Sequence, residues 1–310
     1  MEGLVNWLCR EIELRTSETG RFPGVEFAGI YFGGCGPSLL SLDQLYRILK
    51  AVCDNLPTNL QEQGLLVLPG SVQAGKAKVL RESGFDRLEL RVEVGQQYLE
   101  DFEILRAAGF ASVGFEVGYS ADSLWEEWLA RLLELRPDTV VFYVPEGLTS
   151  YDLLSAIRRA RRLVEGSFRC FLLHHYCRTG NESVLMANLC GGEVVGFGPG
   201  AVTVINGQRQ QNELNTRQYV KRVSRGDVRR PSMPLVRADM LMNRLLRLEG
   251  ISRDELSPDS LAALLDAELL QLEGSRLQLS EQGVVAIERV KQILVENDWR
   301  VGNLSTPTRS

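Results

Sequence analysis

The clearest candidate for ligand binding is a glycine-rich turn at residues 33–40, GGCGPSLL. An apolar run at 27–32 precedes it and a helical pattern follows it, so the turn joins a buried strand to a helix. Backbone without a Cβ can approach a bound molecule closely, and such turns are where parallel α/β folds usually bind ligands. The residues predicted to contact the ligand are Gly33, Gly34, Cys35 and Gly36.

His174 and His175 are the only histidines in the chain. Adjacent residues of a strand point to opposite faces, so one of them is expected to face the interior of the fold or a pocket. An imidazole there could be an axial ligand for heme or another metal, or an acid–base group. The alternative is a hydrogen-bonded structural histidine, which we favour because a single histidine rarely makes a site.

Charged residues at predicted strand ends form a second candidate group. Arg91, Glu93 and Glu116 could line a small polar cavity or pair with one another, and pairing is favoured. The basic segment 158–162 predicts a solvated helix face, with a docking patch for an acidic partner as the alternative. Trp125 and Trp128, three residues apart on one helix, indicate core or interface.

The elements that would position these residues alternate between strand and helix. Strands are predicted at 27–32, 65–68, 87–94, 112–117 and 140–144, and helices at 4–15, 42–55, 74–83, 98–108, 123–135 and 151–163. Glycine followed by phenylalanine ends two of the helices, at Gly84 and Gly109. Regular strand–helix units with short joints predict right-handed βαβ connections and a parallel sheet or barrel.

The pattern changes after residue 165. Strands are predicted at 169–175 and 194–205, a polar loop at 208–215, a short helix at 216–224 and an Arg- and Pro-rich linker at 225–234. Two helices, a β wing at 269–280 and a last helix then predict a winged-helix-like module. The predicted division is a barrel core over 1–165, an extension over 166–228, the winged module over 229–300 and a disordered tail over 301–310.

Composition narrows the classes of protein. A net charge of −5 over 310 residues gives no indication of a nucleic-acid partner. The sequence contains no apolar run of membrane-spanning length and no visible signal peptide, so we expect a cytoplasmic protein without a membrane partner. The six cysteines include no C-x-x-C pair and no iron–sulfur or zinc spacing.

Residues 33–40 resemble the GGGTPSLL segment of the radical S-adenosylmethionine (SAM) proteins grouped as oxygen-independent coproporphyrinogen III oxidase and heme chaperone. The resemblance continues through 69–72, 80–88, 105–110 and 137–143, and is clearest at 196–201, GFGPGA, which resembles GLGPGAHS. It covers nearly the whole chain in order. It implies a partial (β/α) barrel followed by the small C-terminal domain of that family, and a glycine turn that meets the methionine amino group of the nucleotide.

The departures from the family pattern bear on function. Members begin with a strand ending in C-x-x-x-C-x-x-C, which holds a [4Fe–4S] cluster, whereas this sequence is expected to start after that point and to lack the first barrel strand. The family's acidic E-x-N-P strand is aliphatic here, around Leu66, and its GVQS is represented by 91–94, with Arg91 in place of Gly. The D-x-x-x-G-L-P-G-Q-T segment is reduced, at 115–123, and the heme chaperone's HN-x-x-YW falls on 185–190 without its His or Trp.

We therefore expect a degenerate member of this family, without a cofactor in the isolated chain, whose ancestral cluster and SAM have been lost. The preferred hypothesis is a non-catalytic partner or regulatory subunit in a radical SAM, tetrapyrrole or natural-product pathway, with a protein partner or a second copy covering the exposed barrel edge. The alternatives are a residual enzyme whose cluster comes from a partner, and a heme or porphyrin carrier that uses His174 or His175.

Overall fold

The centre of the molecule is a curled sheet of seven strands in the order β1-β2-β3-β4-β5-β7-β6. The computed structural model describes residues 2–18, 26–34, 36–183, 185–186, 192–234 and 237–298. Strands β1 to β5 are parallel, and β7 and β6 extend the sheet antiparallel to their neighbours. The strands are β1 (Phe27–Phe32), β2 (Thr58–Val67), β3 (Arg87–Val92), β4 (Ser112–Gly118), β5 (Thr139–Tyr143), β6 (Arg169–Leu172) and β7 (His175–Cys177).

Helices cover the outer face of this sheet, and the alternating sequence of the strands explains why. On β3, Leu88, Leu90 and Val92 are fully buried in the core, whereas the charged residues between them face the other side. The sheet therefore has an aliphatic outer face and a polar inner face. The helices of this region are α1 (Glu2–Glu18), α2 (Leu42–Asn55), α3 (Ala74–Glu82), α4 (Leu99–Ala107), α5 (Trp125–Glu134) and α6 (Ser150–Val164).

Local signals set the limits of several helices. Ser41 begins α2 with a capping box shared with Gln44, and the Thr149 hydroxyl accepts a hydrogen bond from the backbone N–H of Asp152 at the start of α6. Gly84 and Gly109 adopt left-handed φ angles of 95° and 77° just after α3 and α4, as expected for helix C-caps. The predicted alternation of strands and helices is confirmed, and the chain forms an α/β half-barrel.

The C-terminal part begins with a three-stranded antiparallel sheet of β8 (Val202–Ile205), β9 (Gln208–Gln211) and β10 (Ser232–Pro234), with α7 (Thr216–Ser224) between its last two strands. The last region contains α8 (Arg237–Leu246), α9 (Pro258–Asp266), the hairpin β11 (Leu270–Glu273)–β12 (Arg276–Leu279), α10 (Glu281–Val285) and α11 (Ile287–Asp298). The order helix, helix, hairpin, helix is the predicted winged arrangement. None of the described helices combines the length and the apolar character that a membrane crossing requires.

Three expectations about local structure are wrong. Residues 208–211 form strand β9 rather than a polar loop, and the supposed linker ends in β10, because each of these polar segments pairs with a neighbouring strand. The expected single strand at 169–175 is a hairpin of β6 and β7 that turns at His174. The predicted tail, 301–310, lies outside the described residues.

The basic segment of α6 lies on a partly solvated face, as expected, and its arginines also contact neighbouring elements. Arg158 and Arg161 pair with Glu281 of α10, at 2.7 and 3.5 Å. Arg159 donates to the backbone oxygen of Ser120 and lies over the ring of Trp125. These arginines therefore attach the winged region and the β4–α5 loop to the half-barrel.

A fully buried carboxylate on α1 connects this helix to the C-terminal part. Glu11 Oε2 accepts hydrogen bonds from the backbone N–H of Gly198 (2.8 Å) and the hydroxyl of Tyr219 (2.5 Å). Its Oε1 accepts from the side-chain amide of Asn212 (3.0 Å) and pairs with Arg230. Burial of a charge is costly unless it is paired and hydrogen-bonded, and here both carboxylate oxygens have partners.

Arg15 lies one turn further along α1 and completes this buried network. Its guanidinium donates to the backbone oxygen of Gly196 (2.7 Å) and to Thr203 Oγ1 (3.1 Å), and it lies 5.0 Å from the ring centre of Phe197. Burial and the neighbouring charge of Arg230 together lower the pKa of Arg15 to about 10. The Glu11 carboxylate opposes this shift in part. Two arginines therefore depend on one carboxylate.

Removal of that carboxylate is expected to destabilise the fold strongly. In Glu11→Gln the Arg15 and Arg230 guanidiniums stay buried without their shared counter-charge, which should lower the free energy of unfolding by about 3–5 kcal/mol. Urea denaturation followed by circular dichroism measures the change. Glu13→Gln, on the exposed side of the same helix, is the matched control and should leave the denaturation midpoint unchanged. Equal midpoints for both variants would contradict a structural role for Glu11.

Candidate functional site

The glycine turn lies at the carboxyl end of β1, where the sequence predicted it. Gly34 and Gly36 adopt left-handed φ angles of 86° and 75°, a conformation that favours glycine. Ser38, in the short 3₁₀ helix that follows, accepts through its Oγ the backbone N–H of Leu68 at 2.9 Å. The Lys76 ammonium donates to backbone oxygens of the same segment. The chain itself holds the backbone of the turn in place, and Cys35 lies outside the described residues.

The ring of Tyr31 covers the inner side of this turn. A Cβ atom built on Gly33 would lie 2.6 Å from the Tyr31 ring, and one built on Gly64 of β2 would lie 2.6 Å from the same ring. The ring therefore fills the space that two glycines leave open on neighbouring strands. The Tyr31 hydroxyl and the Glu89 carboxyl of β3 interact, which raises the pKa of Tyr31 and acts to lower that of Glu89.

The inner face of the half-barrel carries five charged residues, and four of them form two ion pairs. Arg87 pairs with Glu62, and Arg91 with Glu116, each at 2.5 Å. The Arg91 guanidinium also lies 5.4 Å from the ring centre of Tyr143, which favours its charged form there. The predicted pairing of Arg91 with Glu116 is confirmed, whereas Glu93 lies beyond β3 and is exposed.

Glu89 is the fifth charged group and forms no ion pair with a described residue, although nearby Arg87 acts to lower its pKa. It is 5% exposed, and burial raises its pKa to about 7 against the opposing effect of the hydrogen bond with Tyr31. Nearby Glu116 raises this pKa further by charge repulsion. Burial and the two carboxylates raise the pKa of Tyr31 well above its ordinary value, so the tyrosine remains a hydrogen-bond donor.

The two histidines lie on opposite faces of the sheet, as expected. His174 occupies the β6–β7 turn with a φ of 65°, and its Nδ1 lies 2.8 Å from the Tyr119 hydroxyl in the aromatic core behind the sheet. Burial lowers its pKa to about 4, so it is neutral near pH 7. These contacts give His174 the structural role that the sequence analysis favoured.

His175 lies on β7 opposite Val141 of β5, on the inner face. Its Nδ1 is buried and makes no hydrogen bond in the part of the chain that the structure describes. Burial lowers its pKa to about 4 as well, which leaves a neutral imidazole. Of the two candidate ligands, His175 is therefore the one that faces the barrel interior. Over the described ranges, no three His, Cys, Asp or Glu side chains converge on a common metal position.

The inner face contains site residues that the sequence analysis did not single out. These are Tyr31, Glu62, Arg87, Glu89 and Thr139. A signal for part of this set was present in 87–93, RLELRVE, where a charged residue alternates with Leu or Val. Strict alternation predicts one aliphatic face and one charged face of the strand. The aliphatic face is the one that packs against the helices. No comparable signal marks Tyr31 or Thr139, because their inner positions depend on strand register.

The glycine turn thus follows the first strand of a largely parallel half-barrel sheet whose outer face is covered by helices. The structure superposes on the coproporphyrinogen III oxidase HemN of Escherichia coli, described as a radical SAM enzyme, with a TM-score of 0.72 over 94% of this chain and 82% of that one. At 18% sequence identity this likeness shows the fold. The expected fold class is confirmed.

Sequence comparison identifies two relatives. The chain is 22% identical over 276 residues to the oxygen-independent coproporphyrinogen III oxidase of Escherichia coli (strain K12), a match covering 73% of this chain and 60% of that protein. It is 28% identical over 151 residues to the heme chaperone HemW of Lactococcus lactis, covering 43% of this chain and 40% of HemW. No family model matches the chain. The chain is thus related to these two proteins and spans three fifths or less of their length.

The raised pKa of Glu89 predicts a characteristic pH dependence. Between pH about 4.5 and about 7 the folded protein keeps a proton on Glu89 that the unfolded chain has released, so this residue's contribution to stability falls as pH rises through that range. The full change is about 3 kcal/mol. His174 and His175 act in the opposite direction, because their stability contributions are lost as pH falls from about 6.5 to 4.

The difference in the free energy of unfolding between Glu89→Gln and the wild-type protein does not contain the histidine contribution, because both proteins have the same histidines. The variant is expected to gain stability relative to wild type as pH rises from about 4.5 to 7, with a constant difference at higher pH. Chemical denaturation across this range measures the difference, and Glu103→Gln on the exposed side of α4 is the reference for loss of an ordinary surface carboxylate. A difference independent of pH would rule out the raised pKa.

Proposed function

We propose that this chain is a non-catalytic relative of the radical SAM half-barrel proteins that serves as a partner or regulatory subunit in a radical SAM, tetrapyrrole or natural-product pathway. The relatives support the proposed pathway class, because one is named as a coproporphyrinogen III oxidase and the other as a heme chaperone. The inner face of the sheet supports the non-catalytic role, as the following contacts explain.

The position of the Tyr31 ring carries this proposal. The resemblance assigns the turn at Gly33 to the methionine amino group of SAM, and the Tyr31 ring fills the space against Gly33 and Gly64 on the inner side of that turn. A ligand in van der Waals contact with Gly33 would require the ring to leave. Its departure would remove the interaction with Glu89 and leave the space against Gly33 and Gly64 unfilled.

The next two strands support the same conclusion. Leu66 is 1% exposed on β2, where the resemblance places a carboxylate. Arg91 replaces the glycine of the family's GVQS, and its guanidinium is engaged with Glu116 and Tyr143 rather than free for a phosphate or carboxylate of a ligand. Side chains of this chain thus fill positions where a nucleotide would need open space and an anchoring charge. The residues present do not fit SAM.

Cofactor binding by the purified chain tests the non-catalytic role. After anaerobic reconstitution with iron and sulfide, we expect no iron–sulfur absorbance, and titration calorimetry with SAM should give no binding heat because Tyr31 fills the space against Gly33. A stable cluster, or SAM binding by the isolated chain, would overturn the proposal. SAM binding that appears only after a cluster-bearing partner is added would favour the alternative, a residual enzyme completed by that partner.

We further propose that the partner covers the edge of the sheet at β1. Among the described strands, β1 pairs only with β2 and ends the sheet. Phe27 donates its backbone N–H to Pro57 on the β2 side, so alternation directs the N–H groups of Ala28 and Ile30 to the open edge. An edge of this kind is a template for an added strand from a second copy or another protein.

Substitution at Ala28 tests the edge. Ala28→Pro removes an N–H that faces away from β2, so the fold should persist while strand addition is blocked. Binding is measured by light scattering, alone and with the coproporphyrinogen oxidase-like enzyme of the same organism. Whether the wild type binds a second copy or the enzyme, the proline variant should bind that partner at least about tenfold more weakly. Ala28→Val keeps the N–H and should bind with the wild-type affinity. Equal affinity in both variants would exclude this edge.

One observation favours heme or porphyrin binding as a second candidate function. His175 presents a buried, neutral imidazole with an unpartnered Nδ1, among the described residues, on the inner face. His174 is already hydrogen-bonded to Tyr119. A Soret band on hemin addition that His175→Ala removes and His174→Ala leaves would favour the carrier over the partner subunit.

A further inference from the structure

One row of residues crosses the inner face of the half-barrel at the level of Glu89. Strand register places Glu89 between Leu66 of β2 and Gly114 of β4. Thr139 of β5 lies beyond Gly114, and its Oγ1 is 1.9 Å from where a Cβ of Gly114 would be. The Thr139 hydroxyl therefore leans over the glycine toward β3. Two strand spacings, about 10 Å, separate the backbones of Glu89 and Thr139, and Gly114, the residue between them in the row, has no side chain.

Both residues in this row hold a polar atom without a partner. Glu89 and Thr139 are each 5% exposed, and Glu89 Oε2 and Thr139 Oγ1 are buried and make no hydrogen bond to any described residue. Native proteins rarely leave such atoms unsatisfied, because the desolvation cost is about 1–3 kcal/mol per group and more for a charge. Two such atoms in one row, on either side of a glycine, indicate a missing hydrogen-bonding group.

The charge balance of the inner face determines the chemistry of that group. Arg87 and Arg91 are each engaged by one glutamate, which leaves Glu89 as the one unmatched charge of the five described above. Glu116 and Glu62 act on the Glu89 carboxyl as neighbouring negative charges, and Arg87, which is paired with Glu62, opposes them in part. An anionic ligand would meet an unmatched carboxylate, whereas a cation with N–H donors would compensate the charge and satisfy both oxygens.

We propose that the gap between Glu89 and Thr139 binds the protonated primary amine of a small molecule. A primary ammonium carries one positive charge and three N–H donors. One donor is directed at Glu89 Oε2, which makes a charge-assisted hydrogen bond, and a second at Thr139 Oγ1. The unpartnered His175 Nδ1 lies one row further along the inner face and can accept from another group of the same ligand. This site is independent of the partner-subunit proposal.

Thermal unfolding in the presence of methylammonium tests the site. At about pH 8, above the pKa of Glu89, methylammonium chloride should raise Tm in proportion to the logarithm of its concentration once the site is saturating. Tetramethylammonium chloride at the same ionic strength has the charge but no N–H donor and should not raise Tm. Scanning calorimetry measures both series on the full chain.

Two substitutions identify the site as the origin of the effect. Glu89→Gln removes the charge at constant shape, and Thr139→Val removes the hydroxyl at nearly constant volume. Each should weaken the apparent affinity for methylammonium by about tenfold or more. Glu93→Gln, at an exposed carboxylate of the same strand's end, is the matched control and should leave it unchanged.

The contrary results are equally specific. No rise of Tm with methylammonium, an equal rise with tetramethylammonium, or an undiminished rise in Glu89→Gln would each overturn the amine site. Any of them would leave a bridging water as the hydrogen-bonding partner of the two oxygens. The iron–sulfur and SAM measurements do not enter this test, so failure of one proposal is distinguishable from failure of the other.

Discussion

The buried carboxylate of Glu11 is the interaction on which the relative placement of the main parts depends. It is fully excluded from solvent, and its partners come from the turn at Gly198, from Asn212, from α7 and from the segment before β10. A buried charge tolerates little displacement of its donors, because each lost hydrogen bond exposes the full desolvation cost. Helix α1 and the C-terminal extension are consequently held in one geometry.

That geometry affects the half-barrel through α1, which packs against α2 and carries Glu11 and Arg15. On the outer face of the sheet, Leu and Val side chains of the strands pack under the helices, and this packing supports the fold that the chain shares with HemN. The inner face is organised by charge instead. Two ion pairs and the tyrosine over the glycine turn hold most of it, and Glu89 remains as a carboxylate whose pKa lies near neutrality.

The contrast between the two faces unites the functional proposals. The packing of the outer face holds the fold together and does not depend on which residues line the inner face. The fold is therefore shared with a radical SAM enzyme at only 18% sequence identity. The inner face decides what can bind, and here Tyr31, Leu66 and Arg91 fill positions that the resemblance assigns to a nucleotide. On the same face Glu89 and Thr139 each keep an unpartnered buried oxygen, and these two oxygens are the basis of the proposed ammonium site.

The sequence alone determined the features that depend on local physics. The Ser41 cap, the glycine ends of α3 and α4, the period-two pattern of β3 and the turn at Gly33 each act within a few residues, so they are legible without the fold. The resemblance of motifs in order along the chain then identified the half-barrel and the winged region. The favoured pairing of Arg91 with Glu116 followed from their expected strand ends.

Only the tertiary structure decided which inner residues face one another. The register of β3, β4 and β5 places Thr139 across Gly114 from Glu89, and register depends on packing summed over the whole sheet. The polar segment 208–211 is a strand because β8 and β10 pair with it, and Arg230, in a supposed linker, is buried against a carboxylate more than two hundred residues earlier. Contacts at such separation carry no local signal, since their energy exists only when the chain is folded.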